Sequence, residues 1–200
     1  MTKEVEKISA CLLGGGVVLL PTDTVYGLAV CPRFPEAVDR LYALKQRPGN
    51  LNIPVMVARA EGLRSLGLDI NDRAGKLLRS SFIPGALTLA MGFARGPRVA
   101  WLAGREEVAV RIPDDARMLA VLEKTGPLLV TSANRHGRPT PESCPEILRQ
   151  LEGRPDMAID IGNLRTVPST LVNCRYDPPV VEREGVISRL ALEAVFEADP

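Results

Sequence analysis

A chain of 200 residues that is 46% hydrophobic can bury a substantial core, as one large domain or two small ones. Its 25 basic and 24 acidic residues leave a net charge of +1, which argues against a general nucleic-acid coat but leaves room for a local basic cleft. No apolar run approaches the roughly 18 residues of a membrane span, and the charged start Thr2-Lys3-Glu4-Val5-Glu6 lacks the apolar stretch of a secretion signal. A cytoplasmic protein with no membrane partner is expected. Cys11, Cys31, Cys144 and Cys174 are scattered without C-x-x-C spacing, so they read as reduced core or loop thiols.

In chain order, Val5, Ile8, Leu12 and Leu13 recur at helical spacing, and Gly14-Gly15-Gly16 ends that first helix. Val17 to Leu20 is a short buried strand. It delivers Pro21-Thr22-Asp23-Thr24-Val25-Tyr26-Gly27, a polar stretch fixed between a proline that stops the ladder and a glycine that permits a turn. Taken alone, this stretch has two readings of similar weight: it lines a pocket, or Thr22, Asp23 and Thr24 cap the next element. A second helix, Pro35 to Leu44, runs into Lys45-Gln46-Arg47-Pro48-Gly49 and leaves two cations at its exit. Ile53 to Ala58 follows as a strand.

Asn71 caps a helix over Asp72 to Arg79, and Pro84-Gly85 precedes a strand over Ala86 to Ala90. Gly92 to Arg105 reads as a loop able to form a hairpin, with Trp101 its one large anchor. In the strand Val108 to Pro113, Arg111 sits among apolar residues, and a buried guanidinium needs a carboxylate or an anionic ligand. Asp114 or Asp115 caps a helix through Lys124, and Leu128 to Val130 is a strand ending in Thr131-Ser132-Ala133-Asn134. A helix over Pro145 to Leu151 precedes short strands at Met157 to Ile161, Ser169 to Asn173 and Val180 to Arg183, then a helix over Ser188 to Phe196.

Four segments thus share one design, an apolar strand followed by hydroxyl, amide or cationic groups. Lys45 and Arg47 can neutralise a polyphosphate, and a planar group such as Arg111 can clasp a carboxylate or phosphate at two points. Covalent catalysis fits poorly. His136 is the one histidine, and its arginine-rich loop disfavours the imidazolium that a Ser-His-Asp triad requires.

The ordered segments Pro21 to Gly27, Lys45-Gln46-Arg47-Pro48, Pro84 to Thr88, Val110 to Pro113, Thr131 to Asn134, Pro168-Ser169-Thr170 and Arg183-Glu184-Gly185 resemble the YrdC/Sua5 family of threonylcarbamoyl-AMP synthases. The resemblance covers nearly the whole chain. It implies one α/β (α+β) domain over residues 1–200, with a twisted mixed parallel and antiparallel sheet, flanking helices and a deep basic cleft. The implied reaction joins L-threonine, bicarbonate and ATP into threonylcarbamoyl-AMP and pyrophosphate, the first step of threonylcarbamoyl (t6A) modification of tRNA. Proteins that transfer the product to tRNA are the implied partners, and tRNA or double-stranded RNA is a further one.

On the same resemblance, Lys45 and Arg47 are the catalytic phosphate-holding pair. Thr88, Ser132, Asn134 and Arg183 join them around ATP, while Thr24, Arg111, Thr131 and Ser169 surround threonine. Mg²⁺ is expected to arrive on the triphosphate, with Asp23 the nearest acidic residue to assist. The chain departs from the pattern in three places. Asn50-Leu51-Asn52-Ile53 lengthens the link before Pro54, Ala58 stands where some members have histidine, and His136-Gly137 replaces a Ser-Gly pair, so that Arg135 and Arg138 form a different lip. The extent resembles the family's short form. Two further readings compete: a non-catalytic binder of double-stranded RNA or tRNA, and a carbamoyl-adenylate-forming relative.

Overall fold

Why this sequence makes a sheet with one covered and one half-open face follows from its strand alternation. The computed structural model describes residues 2–164 and 166–197. Helix α1 (Thr2–Leu13) leads into strand β1 (Val18–Leu20), and β2 (Gly27–Val30) returns beside it. Helix α2 (Pro35–Lys45), strand β3 (Val55–Met56), helices α3 (Glu61–Ser65) and α4 (Asp72–Leu78), and strand β4 (Leu87–Met91) follow. Strand β5 (Val108–Arg111), helix α5 (Ala116–Thr125), strand β6 (Leu128–Ser132) and helix α6 (Cys144–Gln150) continue the chain. Strands β7 (Met157–Ala158), β8 (Thr170–Asn173) and β9 (Val180–Arg183) precede helix α7 (Arg189–Glu197).

Among the described residues the strands form a nine-stranded sheet in the order β7-β1-β2-β6-β3-β5-β4-β8-β9. The pairs β1–β7, β3–β5 and β4–β8 are parallel and the others antiparallel, the mixed sheet expected from sequence. Side chains alternate across a strand, so each strand feeds two layers. Leu19, Leu28, Val30, Val55, Leu87, Leu89, Val110 and Leu129 join one core with Leu41 of α2, Leu77 of α4, Ile147 of α6 and Leu192 of α7. The opposite face is different. Val18, Leu20, Ala29, Leu128 and Val130 pack against Val5, Ile8 and Leu12 of α1 and Met118, Val121 and Leu122 of α5. These two helices cover the β1-β2-β6 side of that face, and its β5-β4-β8 side carries Ala109, Arg111, Thr88, Ala90 and Leu171, which border a cavity instead.

The helix ends follow local chemistry. Asn71 Oδ1 accepts from Ala74 N at 3.0 Å, and Asp115, not Asp114, caps α5 by accepting from Met118 N at 2.7 Å. Helix α2 begins with Pro35 in its first turn and stops at Gln46, which takes the left-handed conformation with φ 49°.

Several expectations need correction. Gly27 does not merely permit a turn: it opens β2, so the Pro21 to Tyr26 stretch is the loop of a β1–β2 hairpin. The apolar run from Leu28 to Val30 was too short to stand out from turn residues, and pairing with β6 is what makes it a strand. Of the expected Ile53 to Ala58 strand, Val55 and Met56 form the regular strand, with Pro54 O accepting from Val130 N and Val57 N donating to Arg111 O at its ends, and a short helix α3 follows where none was expected. Between Gly92 and Arg105 there is a single 3₁₀ turn, Ala100–Leu102, and no hairpin; Phe93 instead bridges to Leu68. Leu13 is 40% exposed, because the burial stripe of α1 runs through Val5, Ile8, Ser9 and Leu12.

Candidate active site

The open part of the sheet becomes the floor of a cavity of about 740 Å³. Its walls come from the β1–β2 loop, the 50–54 segment after α2, the end of β6 with residues 138–140, and the Pro168-Ser169 step before β8. Each wall is a polar stretch at the end of an apolar strand or helix, so the sheet itself gathers residues that are far apart in sequence.

Arg111, 6% exposed, organises the inner part. Its Nε donates to Gly85 O at 2.9 Å and its Nη1 to Thr24 Oγ1 at 2.8 Å. Nη2 lies 2.8 Å from Asp23 Oδ1, a buried ion pair that supplies the carboxylate partner a guanidinium needs at this depth. Burial lowers the guanidinium pKa and the Asp23 carboxylate partly restores it. The acceptor carbonyl depends on Gly85, whose φ of 151° and contact of an added Cβ with Phe82 O at 2.9 Å both demand glycine. Thr24 is in turn aimed by Thr22, whose hydroxyl accepts from Thr24 N and Val25 N and donates to Val25 O at 2.7 Å. Tyr26 is wholly buried with its hydroxyl donating to Gly162 O at 2.7 Å and accepting from Ile161 N, so it is a structural anchor.

Beside Arg111 lies a second polar group. Thr88 and Ser169 share a hydroxyl hydrogen bond of 2.7 Å, and Arg183 reaches back from β9 to donate through Nε and Nη2 to Ser169 O at 3.1 and 3.0 Å. Burial, followed by the charge of Arg111, lowers the pKa of Arg183. Two guanidiniums near enough to repel each other in a partly dry cavity favour an anionic ligand between them.

Lys45 goes elsewhere. The left-handed turn at Gln46 sends Lys45 and Arg47 in different directions, and Lys45 is 1% exposed behind the cavity wall. Its ammonium donates to Ser132 O, to Asn134 O at 2.7 Å and to Asn134 Oδ1 at 3.3 Å. Burial, with a smaller contribution from Arg47, drops its pKa from 10.5 to about 7. Asn134 is equally occupied: Oδ1 accepts from Ser132 Oγ at 2.6 Å, and Nδ2 donates to Arg135 O at 2.9 Å and Arg138 O at 2.7 Å.

Of the residues expected from sequence, Thr24, Arg47, Thr88, Arg111, Thr131, Ser132, Ser169 and Arg183 line one cavity. Lys45 and Asn134 do not line it; they brace its wall, because their polar groups are spent on backbone carbonyls and on each other. Asp23 is paired with Arg111 rather than set among other acids, and the described residues hold no group of three or more metal-ligating side chains. The cleft is also not uniformly basic. Glu107 and Glu182 line it beside its arginines, both accepting from Asn173 Nδ2, at 3.1 and 2.7 Å.

Arg138 and Asn52, in the two segments where the chain departs from the family pattern, are on the cavity lining, as are Thr140, Glu107 and Glu182, to which sequence reasoning gave no role. A signal for the floor was present: Thr88 and Ala90 alternate with Leu87, Leu89 and Met91, as Ala109 and Arg111 alternate with Val108 and Val110. Small or polar residues on every second position of a buried strand mark a face that packs against something other than core.

Fold and cavity define an α/β domain with a cleft lined by Arg47, Arg111, Arg138 and Arg183. The chain belongs to the Sua5/YciO/YrdC family, whose description is Telomere recombination and whose pattern matches residues 10–185. It is 36% identical over 198 residues to the threonylcarbamoyl-AMP synthase of Bacillus subtilis, covering 96% of this chain and 56% of that protein. Among solved structures, Pyrococcus abyssi Sua5 in complex with L-threonine superposes with a TM-score of 0.87 at 30% identity, over 98% of this chain and 58% of that one. Escherichia coli YciO superposes with a TM-score of 0.81 at 28% identity, over 94% of this chain and 92% of that one. The chain therefore spans less than two thirds of the first two relatives and nearly all of the third. No helix among the described residues is long and apolar enough to cross a membrane.

Proposed function

We propose that the chain is an L-threonylcarbamoyladenylate synthase, converting L-threonine, bicarbonate and ATP to threonylcarbamoyl-AMP and pyrophosphate. The observation that carries it is Arg111, a buried guanidinium on the lining of a cavity whose other walls supply hydroxyls and further arginines. The names of the relatives and the threonine complex of one of them support the same reading.

In this reading the carboxylate of threonine sits against the Arg111 guanidinium where it lines the cavity, with Thr24, Thr131 and Ser169 around the amino acid. The threonine amine adds to the carbon of bicarbonate or CO₂, and water or a proton leaves as the carbamate forms. A carbamate oxygen then attacks the α-phosphorus of ATP, forming a P–O bond as the bond to pyrophosphate breaks. No covalent enzyme intermediate is needed, so orientation and charge stabilisation by Arg183, Thr88, Ser132 and Arg47 carry the step. Lys45 and Asn134 act as positioning residues. They hold the Thr131-Ser132 edge that faces the nucleotide.

The residues present do not form a cage for Mg²⁺. Glu107 and Glu182 are engaged by Asn173, Glu107 also by Arg175 at 2.7 Å, and Asp23 by Arg111. An octahedral ion that keeps most of its waters enters such a site as part of the Mg–ATP substrate, and no step here is routed through it. Delivery of the adenylate to proteins that modify tRNA belongs to the same proposal.

The test is pyrophosphate release from Mg–ATP and bicarbonate, with and without L-threonine, in the wild type and Arg111→Ala. Release that needs threonine and is lost in the variant is expected. Release that ignores threonine, or that requires carbamoyl phosphate, would sink the proposal.

A further inference from the structure

Sequence resemblance supplies two cations for the phosphates, Lys45 and Arg47, yet the fold buries Lys45 in the wall with its donors occupied. Arg47 remains on the cavity, donating to Leu51 O at 3.3 Å and Asn52 O at 3.0 Å, with no acidic partner among the described residues. A second guanidinium stands on the same cavity. Arg138 lines it, is exposed, and its side chain has no hydrogen-bond or ion-pair partner among the described residues.

The loop that carries Arg138 is built to present it. Arg138 N donates to Arg135 O at 3.0 Å, and its own carbonyl is held by Asn134 Nδ2 at 2.7 Å. Gln150 of α6 accepts from Arg135 N at 2.7 Å and donates to Pro139 O at 3.3 Å, while His136 N donates to Lys45 O at 2.8 Å. Gly137, with φ 77°, makes the turn between them. A backbone tied down this firmly lowers the ordering cost of using the arginine it displays. The same Lys45 and Asn134 that left the ligand site thus hold the loop that brings another cation into it.

We infer that Arg138 replaces Lys45 as the second cation of a polyphosphate clasp, closing with Arg47 on the terminal phosphates of a nucleoside triphosphate and on the pyrophosphate that leaves. The inference rests on the nucleotide reading above and goes beyond it by assigning the leaving-group end to the loop in which this chain departs from the family pattern. Two planar forks arriving from separate walls suit a diphosphate, which offers acceptor oxygens on two phosphorus centres. Glu107 and Glu182, fixed together by Asn173, make their part of the lining a poor place for the same polyanion.

The experiment is calorimetric titration of the full chain with inorganic pyrophosphate and, separately, with AMP, comparing wild type, Arg138→Ala, Arg138→Lys and Arg149→Ala. Arg149 is an exposed arginine of α6 away from the cavity lining and controls for net charge. Arg138→Ala should bind pyrophosphate about tenfold more weakly, with AMP binding unchanged, Arg138→Lys intermediate and Arg149→Ala like wild type. Unchanged pyrophosphate affinity in Arg138→Ala, an equal loss in Arg149→Ala, a parallel loss of AMP, or no pyrophosphate binding by the wild type would each overturn the inference. Selective loss of pyrophosphate binding in a protein that shows no threonine-dependent turnover would uphold the clasp and defeat the synthase reading alone.

Discussion

Arg111 Nη1 lies 2.8 Å from Thr24 Oγ1, a hydrogen bond that ties the loop of the first hairpin to the end of strand β5 across the cavity. The same guanidinium holds Gly85 O and faces Asp23, so its planar fork sets three separate segments in register. Arg111→Lys keeps the charge and loses the fork. Catalytic efficiency for threonine should fall by about 30- to 150-fold, near 2–3 kcal/mol, mostly through the KM for threonine. Initial rates of pyrophosphate release across threonine and ATP concentrations check it; an equal rise in the KM for ATP would count against this seat.

Lys45 makes stability depend on pH. Its pKa falls from 10.5 in the unfolded chain to about 7 in the folded one, because burial disfavours the ammonium. Between those values the unfolded chain holds more protons, so the Lys45 contribution to stability rises from about pH 7 upward and is lost as pH falls through 7. Relative to Lys45→Met, the wild type should gain at most about 1.4 kcal/mol per pH unit across that window. Urea unfolding of both proteins at a series of pH values measures the difference, and parallel curves would refute the assignment.

Gly185 has no room for a side chain. An added Cβ would stand 2.1 Å from Pro168 O and 2.7 Å from the Ser169 carbonyl carbon, backbone atoms that cannot swing aside. Thr170 Oγ1 further fixes this crossing by accepting from Gly185 N at 2.9 Å and donating to Ile187 O at 2.6 Å. Gly185→Ala should cost about 2–4 kcal/mol and shift Ser169 and Arg183 out of place. Denaturant titration reads the first effect and turnover at saturating substrate, under conditions where the variant is still folded, reads the second.

Asn71 offers a change confined to stability. Its Oδ1 caps α4 through Ala74 N, and its Nδ2 donates to Cys174 O at 2.8 Å, joining that helix to the end of β8 away from the cavity. Asn71→Ala should lose about 1–2 kcal/mol, and Asn71→Asp, which keeps the cap, should lose less. Thermal melts of the two variants give the order, while their turnover stays at the wild-type value.

Much of this protein was legible without coordinates. Helical spacing located α1, α2, α4 and α5; glycines, prolines and caps marked their ends; and apolar runs gave most of the strands, since these signals act within a few residues. The polar stretches at strand ends pointed to Thr24, Arg111, Thr131, Ser132, Ser169 and Arg183, and the cavity gathers all six. Strand β2 escaped notice because its four residues are held by β1 and β6, partners that a local pattern does not reveal.

The fates of Lys45, Arg47 and Arg138 were decided only by the tertiary structure. Composition and motif say that Lys45 and Arg47 are cations two residues apart, but a left-handed residue between them and two carbonyls at the end of β6 determine that one is buried and the other faces a ligand. Arg135 and Arg138 both stand at the altered lip in the sequence, and Arg138 reaches the cavity because Asn134 and Gln150 fold its loop inward. Covalent neighbours and hydrophobic period fix which segments become strands and helices. Where a long charged side chain ends depends on which acceptors the sheet brings within a few ångströms, and those come from residues nearly ninety positions away.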